Sequence, residues 1–239
     1  MKIDICFTPA LYPYYSQDDN DKIVVVVDIF RATTTMCAAL ENGARSIIPV
    51  ASVEEAQEYK AKGYLVGAER NVKRCDFADF GNSPFDYTED KVSGKEIVFT
   101  TTNGTQAIEM AQNAGILIIG AFSNIEAVAR FCIEKQKDVI VLCAGWNNRF
   151  NIEDTLFGGA LARRLIDKAY ISASDAVQVA LSMWDEAKPD IRAYIDRTEH
   201  IKRLEANNLQ DSVEYCLTED TLNIVPVYKK ETRKITINS

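Results

Sequence analysis

Four short segments of the sequence bring together carboxylates, arginines and hydroxyl groups, the side chains that phosphate chemistry uses. They are DIFRATTT (28–35), GAERNVKR (67–74), TTTNGT (100–105) and AGWNNRFNIEDT (144–155). Their candidate metal ligands are Asp28, Glu69, Glu153 and Asp154. Their candidate anion-binding forks are Arg31, Arg70, Arg74 and Arg149. Because Mg²⁺ takes one or two carboxylates and shares phosphate oxygens with a substrate, the combination favours metal-assisted chemistry on a small polyanion.

Two of these segments lead into predicted helices. A helix N-terminus presents unpaired N–H groups and a positive dipole end, which together hold an anion. Gly104 would let the backbone approach a phosphate closely. The hydroxyl donors nearby are Thr33, Thr34, Thr35, Thr101, Thr102 and Thr105. Thr34 or Thr102 alone could equally be an N-cap.

Three residue pairs in these segments also have a purely structural interpretation. They are the capping pair Asn151–Asp154 and the surface ion pairs Glu69–Arg70 and Arg149–Glu153. Exposed ion pairs contribute little to stability. Asp28 is harder to assign to the scaffold, because it follows four valines and an unpaired buried carboxylate is costly. A functional interpretation is therefore strongest for Asp28.

The composition excludes several classes of function. The chain has 239 residues and a formal net charge of −8, which argues against a general nucleic-acid or membrane-surface binder but not against an anionic substrate. Six cysteines form no CxxC pair, so neither a zinc ribbon nor a redox motif is indicated. Since we see no signal-peptide pattern and no apolar run of membrane-spanning length, a cytoplasmic location is expected.

The single histidine, His200, lies in the charged stretch DRTEHIKRLEANN (196–208), and we predict it to be a solvated helix residue. Because the chain has one histidine, a histidine nucleophile, a histidine base and a multi-histidine metal site are all disfavoured. No Walker A motif is present. Phe30 stands where haloacid-dehalogenase-type phosphatases place their general acid, so that class is also excluded.

The order of predicted elements indicates an α/β fold. DKIVVVVD (21–28) is typical of a strand covered on both faces. Capping boxes at Ser52–Glu55 and Ser123–Glu126 predict two helix starts. Residues beyond 173 look mostly helical and end in a hairpin. We expect a single domain, 1–239, with a layered α/β/α architecture, a largely parallel or mixed sheet, C-terminal helices and an edge hairpin. The four segments should then meet at the carboxyl ends of the strands.

Taken together and in order, the segments resemble the 2-phosphosulfolactate phosphatase family. The resemblance is carried by DIFRATTT, GAERNVKR with DFGNSP (79–84), TTTNGTQAI (100–108), CAGWNNRFNIEDTLFGGAL (143–161) and DSVEYCLTEDTLNIVPV (211–227). It covers nearly the whole chain. Asp76 and Phe77 stand where the family pattern has a Pro-Gly pair.

The resemblance implies a layered α/β/α fold and a magnesium-dependent phosphatase. The implied reaction converts 2-phosphosulfolactate and water to 3-sulfolactate and phosphate, a step towards coenzyme M in methanogens. The implied catalytic residues are Asp28, Arg31, Glu69 and Asp154, and the implied Mg²⁺ ligands are Asp28, Glu69 and Asp154. The implied substrate-binding residues are Thr33, Thr34, Thr35, Arg70, Asn82, Ser83, Thr102, Asn103, Gly104, Thr105, Asn147 and Arg149. Other motif positions are Asp79, Gly145, Trp146 and Glu153.

Several alternatives stay open at this point. The nucleophile is either water or a carboxylate that forms a phospho-enzyme. The substitutions at Asp76 and Phe77 motivate a phosphatase for another small phosphorylated acid. A non-catalytic anion-binding protein is the third hypothesis, although such a protein gains nothing from acids beside its arginines. We expect a small anionic phosphorylated partner, no nucleic acid and no membrane, and the sequence leaves a homo-oligomer open.

Overall fold

The computed structural model describes residues 1–238, with every side chain except those of residues 17–19. The strands are β1 Lys2–Cys6, β2 Ile23–Val27, β3 Ser46–Pro49, β4 Leu65–Arg70, β5 Lys73–Arg74, β6 Glu96–Thr100, β7 Ile116–Gly120, β8 Val139–Cys143, β9 Ile171–Ser172, β10 Pro226–Lys229 and β11 Lys234–Ile237. The α-helices are α1 Ala32–Glu41, α2 Val53–Ala61, α3 Glu89–Val92, α4 Gly104–Ala111, α5 Ile125–Lys135, α6 Ile152–Ile166, α7 Asp175–Ala187, α8 Ile191–Ile195, α9 Glu199–Ala206 and α10 Val213–Leu217. Among the described residues, no helix is long and apolar enough to span a bilayer.

These strands form one sheet in the order β5-β4-β6-β3-β11-β10-β7-β2-β8-β1-β9. Strand β2 is parallel to both of its neighbours, so that Val25 lies opposite Ile118 on one side and Val141 on the other. Strands β3, β6 and β4 form a second parallel group. The predicted α/β class with a mixed sheet is confirmed. The predicted domain span of 1–239 stays a prediction, and residue 239 lies outside the described residues.

The C-terminal hairpin does not lie at an edge, and that part of the prediction is wrong. Strands β10 and β11 pair antiparallel with each other and fill the space between β7 and β3. Val227 lies opposite Ile118 on one flank, and Ile235 lies opposite Ile47 on the other. The central position has a physical basis, because Val227 packs into the core on one face of the sheet while Ile235 packs into the core on the opposite face.

Helices cover both faces of the sheet and create two main cores. All five residues of β2 are buried, and they alternate between the faces as strand geometry requires. Val25 packs into a core with helices α5, α6 and α7, whereas Val24 and Val26 pack into a core with α1 and α4. The C-terminal helices α8, α9 and α10 join the first of these cores. This arrangement is the expected α/β/α layering.

The two predicted capping boxes had different outcomes. The Ser52 hydroxyl accepts a hydrogen bond from the Glu55 N–H at 3.0 Å and caps α2 as predicted. Helix α5 begins instead at Ile125. The side chain of Asn124 holds the preceding turn, with its Oδ1 accepting from the Ala121 N–H at 2.9 Å. The second box was therefore wrong, because an amide one position later satisfies the turn.

Candidate active site

Asp28 follows directly after β2, and Thr33 fixes the turn that carries it into α1. The Thr33 hydroxyl accepts from the Asp28 N–H at 2.9 Å and donates to the Asp28 carbonyl at 3.0 Å. Within the described residues, the one hydrogen bond that the Asp28 carboxylate accepts is a long one, 3.4 Å, from the Ala32 N–H. The backbone is thus held on both sides of Asp28, while the carboxylate keeps an oxygen for a ligand.

The same device occurs after β6. The Thr105 hydroxyl accepts from the Thr101 N–H at 3.1 Å and donates to the Thr101 carbonyl at 3.0 Å. This turn places Gly104 against Asp28 so tightly that a Cβ on Gly104 would lie 2.8 Å from Asp28 Oδ2 and 2.6 Å from Ala32 Cβ. Only glycine fits here without displacing its neighbours.

Segment 101–105 joins the two parallel parts of the sheet at their carboxyl ends. Thr102 donates to Glu69 Oε1 at 3.3 Å and accepts from the Asn71 N–H at 3.3 Å. Asn103 Oδ1 accepts from the Asn147 N–H at 2.9 Å. One loop therefore contacts the segments that follow β4, β2 and β8, although β4 and β2 are far apart in the sheet order.

The acids at this edge are buried and influence one another. Exposed fractions are 6% for Asp28 and Glu69, 1% for Glu153 and 0% for Asp154. Burial raises the pKa of Asp28 to about 7; the negative charges of Glu69 and Glu153 add to the rise, and the charge of His200 opposes it. Such a shift is typical of functional carboxylates.

Asp154 is engaged by protein donors. Its Oδ1 accepts from the Ile29 N–H at 2.8 Å, and its Oδ2 accepts from the Gly145 N–H at 3.1 Å and from Asn151 Nδ2 at 2.9 Å. Burial, with the charges of Asp28 and Glu153, raises the pKa of Asp154 well above its usual value. Asp154 thereby ties the segment after β2 to the segment after β8. Asn151 stands at the N-cap position of α6, but its side chain donates to Asp154 and does not cap the helix, so the alternative of a purely structural capping pair holds only for the position of Asn151.

The neighbouring Glu153 pairs with His200 rather than with Arg149. His200 is only 6% exposed, and its Nδ1 lies 2.5 Å from Glu153 Oε1. Its ring also meets Phe30 and Trp146 edge-on or tilted, with centroids 5.5 and 5.7 Å away. The prediction of a solvated histidine is wrong, because α9 turns this side chain into the site.

Arg31 lies beneath the C-terminal helices. It is 3% exposed, and its Nη1 donates to the Ser212 hydroxyl at 3.2 Å. Burial lowers the pKa of its guanidinium, while Glu69 and other nearby acids raise it. A buried guanidinium that interacts with the charge of Glu69 is placed to neutralise an anion bound next to that acid.

The other predicted arginines are arranged differently. Arg70 is used by the scaffold: it donates to the carbonyls of Glu69 at 2.6 Å and Ala51 at 3.2 Å, and to the Thr100 hydroxyl at 2.8 Å. The anticipated Glu69–Arg70 ion pair is therefore a side-chain to backbone contact. Arg74 is exposed, as is Arg149, which lies on the rim of a cleft beside His200.

Most of the predicted threonine donors hold the scaffold instead of facing a ligand. Thr34 donates to the Ile29 carbonyl at 3.0 Å, and Thr35 donates to the Asn82 carbonyl at 3.3 Å. Together with Thr33 and the similarly latched Thr105, these hydroxyls have their protons committed. These threonines therefore shape the turns at the site, and their predicted substrate-binding roles stay predictions.

The segment DFGNSP supports the site from outside. Asp79 accepts from Lys60 and from the Val66 N–H, at 2.5 and 2.9 Å, and so fixes this loop to α2 and β4. Asn82 is buried, and its Oδ1 has no partner within residues 1–238. Ser83 precedes a 3-10 turn without capping it. Asp79 therefore serves the scaffold, and the substrate roles of Asn82 and Ser83 stay predictions.

Sequence reasoning missed three residues, His200, Arg203 and Ser212. All come from the segment spanning α9 and the turn before α10, which lies over the site. The available signal was weak: Thr198 caps α9 through the Ile201 N–H, and the apolar positions Ile201 and Leu204 show which face of α9 is buried. His200 borders that face.

In the part of the chain that the structure describes, no three His, Cys, Asp or Glu side chains converge as a metal cluster. Among the described residues, the acids next to segment 101–105 that have an oxygen to spare are Asp28 and Glu69; Glu153 also has a spare Oε2, but its Oε1 is engaged by His200 and Asn151. Glu69 Oε1 accepts from the Val72 N–H at 2.5 Å and from Thr102, which leaves Oε2 without a partner in the described residues. The site therefore offers two carboxylates, which is the number that Mg²⁺ commonly takes.

Known proteins resemble this chain over nearly its whole length. The family model described as 2-phosphosulpholactate phosphatase matches residues 6–231. A Thermotoga maritima protein named probable 2-phosphosulfolactate phosphatase is 38% identical over 205 residues, covering 86% of this chain and 88% of its own. Proteins of the same name from Caldanaerobacter subterraneus and Clostridium novyi are 35% and 36% identical, covering 93% and 95% of this chain and 95% and 97% of their own. The chain belongs to the 2-phosphosulpholactate phosphatase family.

Proposed function

We propose that this protein is a magnesium-dependent phosphatase that hydrolyses 2-phosphosulfolactate to 3-sulfolactate and phosphate. The observation that carries the proposal is that buried Glu69 interacts electrostatically both with Asp28 and with Arg31, while segment 101–105 contacts both acids. Two buried acids beside a buried guanidinium suit a phosphate that arrives with a divalent cation. The names of the relatives supply the substrate.

Asp28 and Glu69 would hold the magnesium ion. Each has a carboxylate oxygen without a protein partner in the described residues, whereas all oxygens of Asp154 accept protein hydrogen bonds. We therefore place Asp154 in a supporting role and depart from the prediction that it is a ligand. When bound, the ion would neutralise phosphate charge and orient the ester.

The remaining groups hold and orient the phosphate. Arg31 would neutralise its oxygens from the side of α10. The backbone of the Gly104 turn can approach it because no Cβ intervenes. In the overall reaction the P–O ester bond breaks, the oxygen of water bonds to phosphorus, and the released alcohol oxygen takes a proton. Positioning and charge neutralisation are the main requirements of such a transfer.

The competing substrate hypothesis rested on Asp76 and Phe77. Phe77 packs beside Tyr59 and Tyr64 against the small core beneath α2, and Asp76 is exposed. The packing of Phe77 favours a scaffold role for this position, and the phosphatase for another small phosphorylated acid stays an alternative. The cytoplasmic location and any homo-oligomer stay predictions.

Phosphate release from 2-phosphosulfolactate tests the proposal. The protein is freed of metal with a chelator, then assayed with and without added Mg²⁺. We expect turnover only with Mg²⁺. Turnover that persists in chelator would refute the metal requirement, and folded protein that turns over other phosphorylated hydroxy acids in preference would refute the substrate. Anion binding without any turnover would favour the non-catalytic alternative.

A further inference from the structure

A cleft of about 420 Å³ opens beside the candidate active site, between segment 146–153 and the start of α9. His200 lines it and separates it from the turn that carries Asp28, because the His200 ring contacts Phe30 two residues beyond that acid. The cleft is therefore one side chain away from the proposed phosphate position. The charge of His200 also acts on Asp28, so the cleft and this acid lie on either side of one side chain.

Two arginines in this cleft, Arg203 and Arg149, form no ion pair with any described residue, although the charges of Glu153 and Glu199 are close enough to raise the pKa of Arg203 against the lowering effect of its burial. Arg203 lies over the Trp146 ring, 4.2 Å from its centroid, and its buried Nε has no acceptor within residues 1–238. Buried donors are rarely left unpaired, so an unpaired guanidinium N–H points to a missing acceptor. The side chain of Arg149 makes no hydrogen bond or ion pair with any described residue.

The acids of the cleft are already engaged. Glu153 Oε1 contacts His200 and accepts from Asn151 Nδ2 at 3.0 Å. Glu199 is paired with Lys202 at 2.7 Å. The third arginine of the rim, Arg197, faces Glu186 at 3.9 Å and lies outside this argument. Neither Arg203 nor Arg149 is paired by these acids within the described residues, so both guanidinium groups can donate to an oxyanion.

We propose that this cleft binds the second acid group of the substrate, a sulfonate or carboxylate, and that Arg203 and Arg149 determine which phosphate esters the enzyme accepts. This inference rests on the proposed function. An Arg fork can donate to two oxygens of such a group while its plane stays on the Trp146 ring, a geometry that Lys does not reproduce. The missing acceptor of Arg203 Nε would then be an oxygen of the substrate.

Binding without turnover gives the first test. The chain has two tryptophans, and the other one, Trp184, is buried in the core, so a ligand-dependent change in fluorescence reports Trp146. Sulfolactate, the dephosphorylated product, should change the fluorescence of the wild type saturably. Arg203→Gln and Arg149→Gln should each weaken this binding at least tenfold, and Trp146→Phe should abolish the signal. Arg163→Gln is the matched control, since Arg163 pairs with Asp185 on the surface of α6 and α7. Equal binding by the control and by both cleft variants would overturn the proposal.

Substrate selection gives the second test. Turnover of 2-phosphosulfolactate is compared with that of three other esters. 2-Phospholactate lacks the sulfonate, the phosphate ester of isethionate lacks the carboxylate, and isopropyl phosphate lacks both groups. Arg203→Gln should lower kcat/KM for the doubly acidic ester at least tenfold more than for isopropyl phosphate. The singly acidic ester that shows the same excess loss identifies the bound group. An equal loss on all four esters would assign the arginine to phosphate or to the fold and refute the inference. Wild type that turns over none of the esters, yet binds sulfolactate through Arg203, would refute the proposed function and leave the cleft site standing.

Discussion

His200 Nδ1 lies 2.5 Å from Glu153 Oε1, and both side chains are buried although they are 47 residues apart. The contact joins the start of α6, which follows strand β8, to helix α9. Helix α9 belongs to the segment that lies over the site and ends at the turn before α10, here called the covering segment. The rings of Trp146 and Phe30 contact the His200 ring of this pair. The covering segment is therefore attached to the site through polar groups as well as through its apolar face.

Removing either partner of this pair should destabilise the protein. His200→Ala and Glu153→Gln each leave a buried polar group with fewer partners, which costs about 1–3 kcal/mol. The double variant should lose less than the sum of the two, because its second change removes no further contact. Urea denaturation measures all three. Lys202→Ala, on the exposed face of α9, is the control and should stay within about 0.5 kcal/mol of wild type. Strict additivity would contradict the coupling.

Replacing Asp28 by Asn should stop the chemistry without unfolding the protein. Asn keeps the shape of the side chain but removes the charge that would hold a cation. We expect kcat to fall by about a hundredfold or more. Phosphate release measures the loss, and circular dichroism checks the fold. Asp185→Asn, on the surface, should behave as wild type. Activity close to wild type in Asp28→Asn would remove this residue from the mechanism.

The stability of the metal-free protein should fall as the pH rises. The pKa of Asp28 is raised to about 7 by burial, against about 4 in an unfolded chain. Between these values the native state holds a proton that the unfolded state has released, so stability decreases from about pH 4 to pH 7. Asp28→Asn should have a shallower slope, with a residual slope of the same sign because the pKa of Asp154 is also raised. Denaturation in chelator from pH 4 to pH 8 measures both curves, and parallel curves would contradict the assignment.

A methyl group at position 104 should disturb the site more than the fold. In Gly104→Ala the new Cβ would contact Asp28 Oδ2 and Ala32, so the Asp28 carboxylate or the turn must move. Misplacement of a reacting group by about 1 Å can cost about a hundredfold in rate. We expect kcat/KM to fall by about tenfold to a hundredfold. Gln106→Ala, exposed on the same helix, is the control. An unaffected kcat/KM in Gly104→Ala would show that the turn tolerates the change.

The local pattern of the sequence predicted the layers but not the position of the hairpin. Val24 to Val27 are apolar at every position, and such a run predicts a strand buried on both faces. Strand β11 of the hairpin alternates polar and apolar residues, a pattern that an edge strand with one apolar face also shows. Its central position is decided by Ile47 and Ile118, which lie far from it in sequence and meet it only in the folded sheet.

The sequence predicted the position of the acids in the candidate site better than it predicted the contacts of the hydroxyl groups and of the histidine. Asp28 stood out because a carboxylate after a buried strand has few structural explanations. Thr33 and Thr105 did not reveal their roles, because a hydroxyl that latches a turn and one that binds a ligand occur in the same sequence context. His200 could not be placed since its burial depends on Trp146 and Phe30, which approach it from other parts of the chain.

The central hairpin also constrains how the chain matures during synthesis. Strands β3 and β7 are complete long before residues 226–237 leave the ribosome, yet each waits for the hairpin as its neighbour. Until then the nascent chain carries two open sheet edges, which are templates for pairing with other chains. A ribosome that stalls before β10 would therefore hold a nearly full-length chain prone to aggregate, and shielding by a chaperone would matter most at that late stage.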